Sequence, residues 1–152
     1  MKILDFLYKE TILTELQAQD KKSVLEELTL PVAQITQANH KELVRVLIER
    51  EHLGSTGIGG GIGIPHGKLQ SLSKLILGFG LSRRGANFDA IDKKPTHLFF
   101  LLLTPDGSAG LHLRLLAQIS KLLKDEGFKK RLMEVSDAQD VIRTIEEVDE
   151  EF

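Results

Sequence analysis

The sequence predicts an α/β fold, a three-layer sandwich in which a mixed β-sheet is covered by helices on both faces. Three observations carry this. Helical and strand-like segments alternate along the chain. The block Thr96–Thr104 (THLFFLLLT) is apolar without alternation, as in a strand buried on both sides. Elsewhere, apolar residues recur at helical spacing, so that each helix has one face to lay on a sheet. The length of 152 residues fits one domain, 1–152, and suffices for a hydrophobic core without staples.

The elements follow in order. Residues 11–16 (TILTEL) read as a short edge strand. Helix signals begin at Asp20, and Val24, Leu25, Leu28, Val32 and Ile35 mark a face. Pro31 lies inside that run and removes a backbone donor, which predicts a kink or break near Leu30. Asn39 can cap the next helix, with Glu42 completing a capping-box pattern, Leu43, Val46 and Leu47 as its face and Gly54 as its C-cap. Residues 54–67 hold seven glycines in fourteen positions, which excludes a regular helix and leaves a loop leading into a short strand near Ile62–Pro65. Lys74–Ser82 reads as a strand whose two interior glycines suggest close approach of another backbone, and 83–95 as a polar connection. After Thr96–Thr104, Pro105–Ser108 forms a turn, with Ser108 as a helix cap. Leu115, Leu116, Ile119, Leu122 and Leu123 face the core from that helix, and Gly127 stops it. Helices near 128–134 and 137–148 finish the fold, and Glu146–Glu151 reads as a frayed acidic end.

Composition excludes several functions. There is no cysteine, hence no disulfide scaffold, zinc ribbon or thiol enzyme. Twenty Lys+Arg against 22 Asp+Glu gives a net charge of -2, less basic than a nucleic-acid footprint requires. Aromatic residues make up 5% and Trp is absent, so no stacking platform for single strands exists. Asp5 interrupts the N-terminal apolar run and no stretch approaches the length of a membrane span, which places the expected location in the cytoplasm.

The glycine-rich segment invites a nucleotide reading that its spacing rejects. A dinucleotide fingerprint needs glycines at i, i+2 and i+5, but Gly57/Gly59 leads to Ile62 and Gly61/Gly63 to His66. A P-loop needs Ser or Thr after Gly-Lys, and Leu69 follows Gly67-Lys68. What remains is a mount for a histidine. Pro65 fixes its own φ and holds Ile64 extended, Gly67 lets the chain leave without crowding the ring, and upstream glycines let amides approach an anion. A neutral His66 can take a phosphoryl group on one nitrogen while the other is held by a hydrogen bond. The alternative is a turn that happens to contain histidine.

Two further residues bear on that choice. Arg50 continues the Leu43–Leu47 stripe at a helix C-terminus and suits phosphate oxygens through its planar fork; alternatively it snorkels over the core or pairs with Glu49 or Glu51. His112 lies beside the Leu115–Leu116–Ile119 stripe in the first helical turn, where a neutral imidazole can donate to phosphate; alternatively it is a satisfied core-edge histidine. His40, His52 and His97 read as structural or solvated. No HExxH spacing suggests a metal, and no Gly-x-Ser-x-Gly elbow suggests a serine hydrolase.

Glu49-Arg50-Glu51, then Gly54-Ser55-Thr56-Gly57-Ile58-Gly59, Gly61-Ile62-Gly63-Ile64-Pro65-His66-Gly67-Lys68, Phe88-Asp89-Ala90-Ile91-Asp92 and His112-Leu113 together resemble the IIA domain of the bacterial phosphoenolpyruvate-dependent phosphotransferase system, in its fructose/mannitol (type 2) branch. The resemblance spans essentially the whole chain. It implies the α/β sandwich, His66 as phosphoryl acceptor, and Arg50 and His112 as its active-site companions. Ser55, Thr56, Gly57 and Gly67 are the candidate phosphate-binding loop. Gly63 stands where the family usually has Ala, which implies a looser local backbone. The implied donor is a phosphorylated small carrier protein of the HPr/NPr type. The implied recipient is a IIB domain or a regulatory target protein, with no nucleic acid and no membrane insertion. No cofactor or metal is required, because a phosphohistidine donor is already activated. The Gly-Ser-Thr-Gly-Ile-Gly and Phe-Asp-Ala-Ile-Asp stretches, and a length matching a lone IIA domain, favour the nitrogen-regulatory members; sugar transport through a fructose/mannitol-type IIB is the alternative.

Overall fold

The computed structural model describes residues 1–152. After a 3-10 turn at Ile3–Asp5 come β1 (Leu7–Leu13), α1 (Lys21–Thr36), α2 (His40–His52), β2 (Gly57–Gly59), β3 (Ile62–Gly63), β4 (His66–Lys68), β5 (Ile76–Ala86), β6 (Thr96–Thr104), α3 (Ala109–Leu122), α4 (Glu126–Met133) and α5 (Ala138–Glu146). The sheet runs β1-β5-β6-β3-β2, and β4 also pairs with β6. β1 is parallel to β5, β5 antiparallel to β6, and β3 and β4 parallel to β6. No helix is long and apolar enough to cross a membrane.

The expected sandwich is what forms, and β6 divides its core. Successive strand residues point to opposite faces. Phe99, Leu101 and Leu103 pack with α1 and α2, whereas Leu98, Phe100 and Leu102 pack with α3, α4 and α5. Both faces are therefore apolar, which is why the segment shows no alternation.

Several elements depart from their sequence reading. The first strand begins at Leu7, not at 11, although it does lie at the sheet edge. A register shift between Leu7 and Ile12 breaks the period-2 pattern that would have marked it. α1 runs unbroken through Pro31. Leu28, Thr29 and Val32 are buried on either side of the proline. Nearby, the Thr29 hydroxyl donates to Leu25 O at 2.6 Å and the His40 ring reaches Glu26 O at 2.9 Å. The carbonyl that loses its helical donor is that of Glu27, four residues before the proline, and burial on both sides outweighs that single lost bond. Ile35, read as core-facing, is exposed near the helix end.

Ser108 occupies the N-cap of α3 without a side-chain cap bond, and Gly127 sits inside α4 rather than ending α3. Asp125 starts α4 by accepting from Phe128 N at 3.0 Å, so an N-cap and not a C-cap divides the two helices. Of the strand glycines, Gly78 does face a backbone, its Cβ position lying 3.4 Å from Thr11 O. Gly80 instead accommodates side chains, Leu28 and Leu16, at 2.6 and 2.7 Å from a Cβ.

The acidic C-terminus is tied down, not frayed. Asp149 is buried, and its carboxylate accepts Ile3 N at 2.8 Å and Leu4 N at 2.9 Å. Phe152 N donates to Met1 O at 2.8 Å, and the Arg114 guanidinium lies over the Phe152 ring. Replacing Asp149 by Ala leaves one buried and one partly buried donor without an acceptor. We expect Asp149→Ala to lower unfolding free energy by about 1–3 kcal/mol in urea denaturation. An unchanged midpoint would mean the terminus contributes nothing.

Candidate functional site

The segment 62–68 is one interrupted strand laid along β6. Ile62 and Gly63 pair with Leu98 and Phe99, and His66, Gly67 and Lys68 with Leu102, Leu103 and Thr104, in the same register throughout. The interruption falls at Ile64–Pro65, where proline lacks a donor; Pro65 O still accepts Leu102 N at 3.0 Å. Gly63 is not loose. A Cβ there would stand 3.1 Å from the Phe99 ring and 3.3 Å from Thr96 Cγ2, so the ring fills the space the expected Ala methyl would take.

His66 thus sits in a strand, not a loop. Period-2 alternation puts it on the same face as Lys68, while Gly67 turns to α2, where a Cβ would lie 2.7 Å from Val46 Cγ1. Any larger residue at 67 would displace the Val46 side chain from the strand. The C-terminal turn of α2 and the first turn of α3 close around the histidine. Val46, Glu49, Arg50, Leu53, His66, Gly67, Lys68 and His112 line an open cleft of about 500 Å³.

The half-buried His66 ring approaches Ile64 O with Nδ1 at 2.8 Å. A carbonyl only accepts, so Nδ1 carries the proton and Nε2 keeps a lone pair. Burial lowers the ring's pKa, a nearby Arg50 lowers it further, and the Ile64 carbonyl and Glu51 act against both. His112 is buried, with Nδ1 2.6 Å from Thr104 Oγ1, and its ring meets the His66 ring at 5.5 Å between centroids and 60° between planes. Burial, then His66, then Lys68 push its pKa down to about 4. Both histidines are neutral at pH 7, which suits a nucleophile and a hydrogen-bond donor.

Arg50 does not take either of the pairings open to it in the sequence. Glu49 is held by Arg45 at 2.6 Å. Glu51 is buried and held by Lys21 Nζ at 2.8 Å, by Thr56 N at 3.0 Å and by the Thr56 hydroxyl. Arg50 donates only to Gly54 O, from Nη1 at 2.9 Å, which anchors one edge of its guanidinium and leaves the charge without a carboxylate partner. Lys68 also has no carboxylate partner and adds a second cation that sequence reasoning passed over. Its position two residues after His66 in a strand was the available signal.

His66, His112, Arg50 and Gly67 come together in this cleft; Ser55, Thr56 and Gly57 do not line it. Ser55 Oγ donates to Phe88 O and accepts Gly57 N, and the Thr56 amide is committed to Glu51. The Gly60 amide is taken by Asp92. These polar groups of the glycine-rich turn are therefore committed to other parts of the fold, and side-chain cations supply the positive potential. His40 and His97 are structural, bonded to Glu26 O and Ser82 O respectively.

Residues 5–148 match the family model described as the phosphoenolpyruvate-dependent sugar phosphotransferase system, EIIA 2. A nitrogen regulatory protein of Bradyrhizobium diazoefficiens is 41% identical over 139 residues, covering 91% of each chain. A fructose-specific EIIABC component of Bacillus subtilis is 32% identical over 150 residues, 98% of this chain but 24% of that one. The crystal structure of nitrogen regulatory protein IIA-Ntr from Neisseria meningitidis superposes with a TM-score of 0.88 at 32% identity, over 93% of this chain and 97% of that one.

Two outcomes test this electrostatic arrangement. The His112 value in the fold lies below the ordinary 6.5, so its contribution to stability is complete above about pH 6.5 and is lost as pH falls toward about 4. NMR titration should show His112 neutral down to about pH 4, and a ring titrating near 6.5 would contradict its burial. Glu51→Ala removes the buried partner of the Lys21 ammonium, leaving it the exposed Asp89 at 3.8 Å, and leaves the Thr56 amide without an acceptor. It should cost on the order of 3 kcal/mol by chemical denaturation.

Proposed function

The chain belongs to the EIIA 2 family of the phosphoenolpyruvate-dependent sugar phosphotransferase system, and from that premise we propose that His66 is the phosphoryl acceptor of a nitrogen-regulatory IIA protein. One observation carries the assignment of the residue: a neutral histidine with its Nε2 lone pair free, in a cleft that also holds two unpaired cations, Arg50 and Lys68. In this reading residues 1–152 form a single IIA domain working in the cytoplasm, charged by a phosphohistidine carrier of the HPr/NPr type.

The transfer is in line. The Nε2 lone pair of His66 attacks phosphorus as the P–N bond of the donor phosphohistidine breaks, and the electron pair returns to the donor imidazole. The His66 Nδ1 proton stays on the ring, steadied by Ile64 O. Arg50, Lys68 and His112 meet the charge on the three equatorial oxygens, because such catalysis rests on positioning and electrostatics. The exposed Leu53 at the rim, with Val46 behind it, gives the docking carrier an apolar surface around the charged centre.

The nitrogen-regulatory reading rests on the Bradyrhizobium and Neisseria relatives, each matched over nearly its whole length. The 32% identity to a fructose-specific component supports a second reading, in which His66 passes phosphate to a fructose/mannitol-type IIB domain.

Incubation with phosphoenolpyruvate and the two general proteins of the system should phosphorylate the wild type and leave His66→Ala unlabelled. Label on the alanine variant would move the acceptor elsewhere. Arg50→Ala should fold normally and accept phosphate about 10²-fold more slowly, as when one charge-stabilising donor is lost. Because the His66 pKa is lowered, the acceptance rate should be flat above pH 6.5 and decline only below it. Rapid discharge onto a fructose-type IIB would favour the transport reading.

A further inference from the structure

We propose that Thr104 is a positioning residue that fixes His112 as the Nε2–H tautomer, so that the two histidines of the cleft present opposite polarity to one phosphoryl group. Its consequence for catalysis rests on the phosphotransfer reading above; the tautomer itself does not.

Thr104 closes β6 and is fully buried. Its backbone carbonyl accepts Leu69 N at 2.9 Å, and its hydroxyl has one partner, His112 Nδ1, at 2.6 Å. Two arrangements of the hydrogen are conceivable. If Nδ1–H donated to the hydroxyl oxygen, the hydroxyl hydrogen would be left in the interior with no acceptor. If the hydroxyl donates to the Nδ1 lone pair, both groups are satisfied by one bond. Buried donors are almost always paired, and the unpaired state carries the full desolvation penalty. The second arrangement therefore prevails, and the imidazole proton resides on Nε2.

Nδ1 is tied into the sheet, so the opposite edge of the ring, with Nε2–H, is the one left for the cleft that His112 lines. His66 is held the other way round. Its Nδ1–H donates to Ile64 O, and its Nε2 lone pair is free. One ring is a nucleophile and the other a donor, and each is set by the partner of its Nδ1. A hydroxyl is needed at 104 because a carbonyl in the same place would accept from Nδ1–H and turn a lone pair toward the phosphoryl oxygens. During transfer the His112 Nε2–H donates to a non-bridging oxygen and keeps its proton, so the step balances as written above.

The strand end makes this contact possible. Thr104 is the Cα partner of Lys68 across the ladder, on the face that carries His66, and α3 brings His112 back over it eight residues later. Lys68 also helps keep His112 neutral.

Two-bond proton–nitrogen NMR of the 15N-labelled full chain reads the tautomer directly, for wild type, Thr104→Val and Thr104→Ser. The expected result is a single Nε2–H tautomer for His112 in wild type and Thr104→Ser, and a mixed or Nδ1–H population in Thr104→Val. Phosphoryl acceptance should fall about 10-fold in kcat for Thr104→Val with the KM for the carrier unchanged, and recover in Thr104→Ser. A wild-type His112 protonated on Nδ1 overturns the assignment without recourse to any variant. Unaltered tautomer and rate in Thr104→Val overturn the role of Thr104. If the wild type shows the stated tautomer yet accepts no phosphate, the phosphotransfer reading fails and the tautomer assignment stands.

Discussion

The pairing of residues 62–68 with β6 is the constraint on which the rest of the site depends. β6 is buried on both faces, so its register against each neighbour is set by two cores at once. A slip of one residue would turn His66 and Lys68 toward α2 and bring Gly67 to the α3 side. The same strand ends in Thr104, whose hydroxyl holds His112. A single rigid element therefore sets the acceptor histidine through its ladder and the second histidine through its last side chain. The helices add Arg50 from one layer and His112 from the other. Neither layer alone encloses the cleft.

Charge is distributed so that Arg50 and Lys68 form no ion pair, although Glu49 also lines the cleft. Lys21 and the Thr56 amide satisfy Glu51, and Arg45 satisfies Glu49. Without those partners either carboxylate would compete for Arg50, which lies between them in sequence. The glycine-rich turn contributes by geometry more than by electrostatics. Gly59, Gly60 and Gly61 take positive φ, reversing the chain between β2 and β3, and the Gly60 amide is bonded to Asp92. An anion arriving at His66 meets side chains, not a nest of amides.

Much of the fold was legible because its signals are local. Thr96–Thr104 was read residue for residue, since a strand apolar on both sides has no competing pattern. Asn39 caps α2 as its position before the apolar stripe implied. The errors arose where tertiary contacts override local preference. Pro31 is held in a helix by burial around it, Gly127 is carried within α4 by the Asp125 cap, and the acidic terminus is ordered by amides at the other end of the chain. The edge strand, expected at 11–16, begins at Leu7 because its bulge breaks the alternation that would mark its start.

At the site, the residues themselves determined His66, Arg50 and His112 as candidates, from chemistry that needs a mounted imidazole, a planar cation and a second ring. Resemblance in sequence reached as far as the family. What only the folded chain decided was which groups remain unpaired. Arg50 could have paired with either neighbouring glutamate, Ser55 and Thr56 could have faced the anion, and either nitrogen of His66 could have been free. Some of those choices depend on partners distant in the chain, Lys21 for Glu51 and Phe88 for Ser55, and others on which near neighbour the fold brings into reach, Arg45 for Glu49 and Ile64 for His66. Hydrogen bonds of that kind are short-ranged in space and unconstrained in sequence, so only packing can assign them.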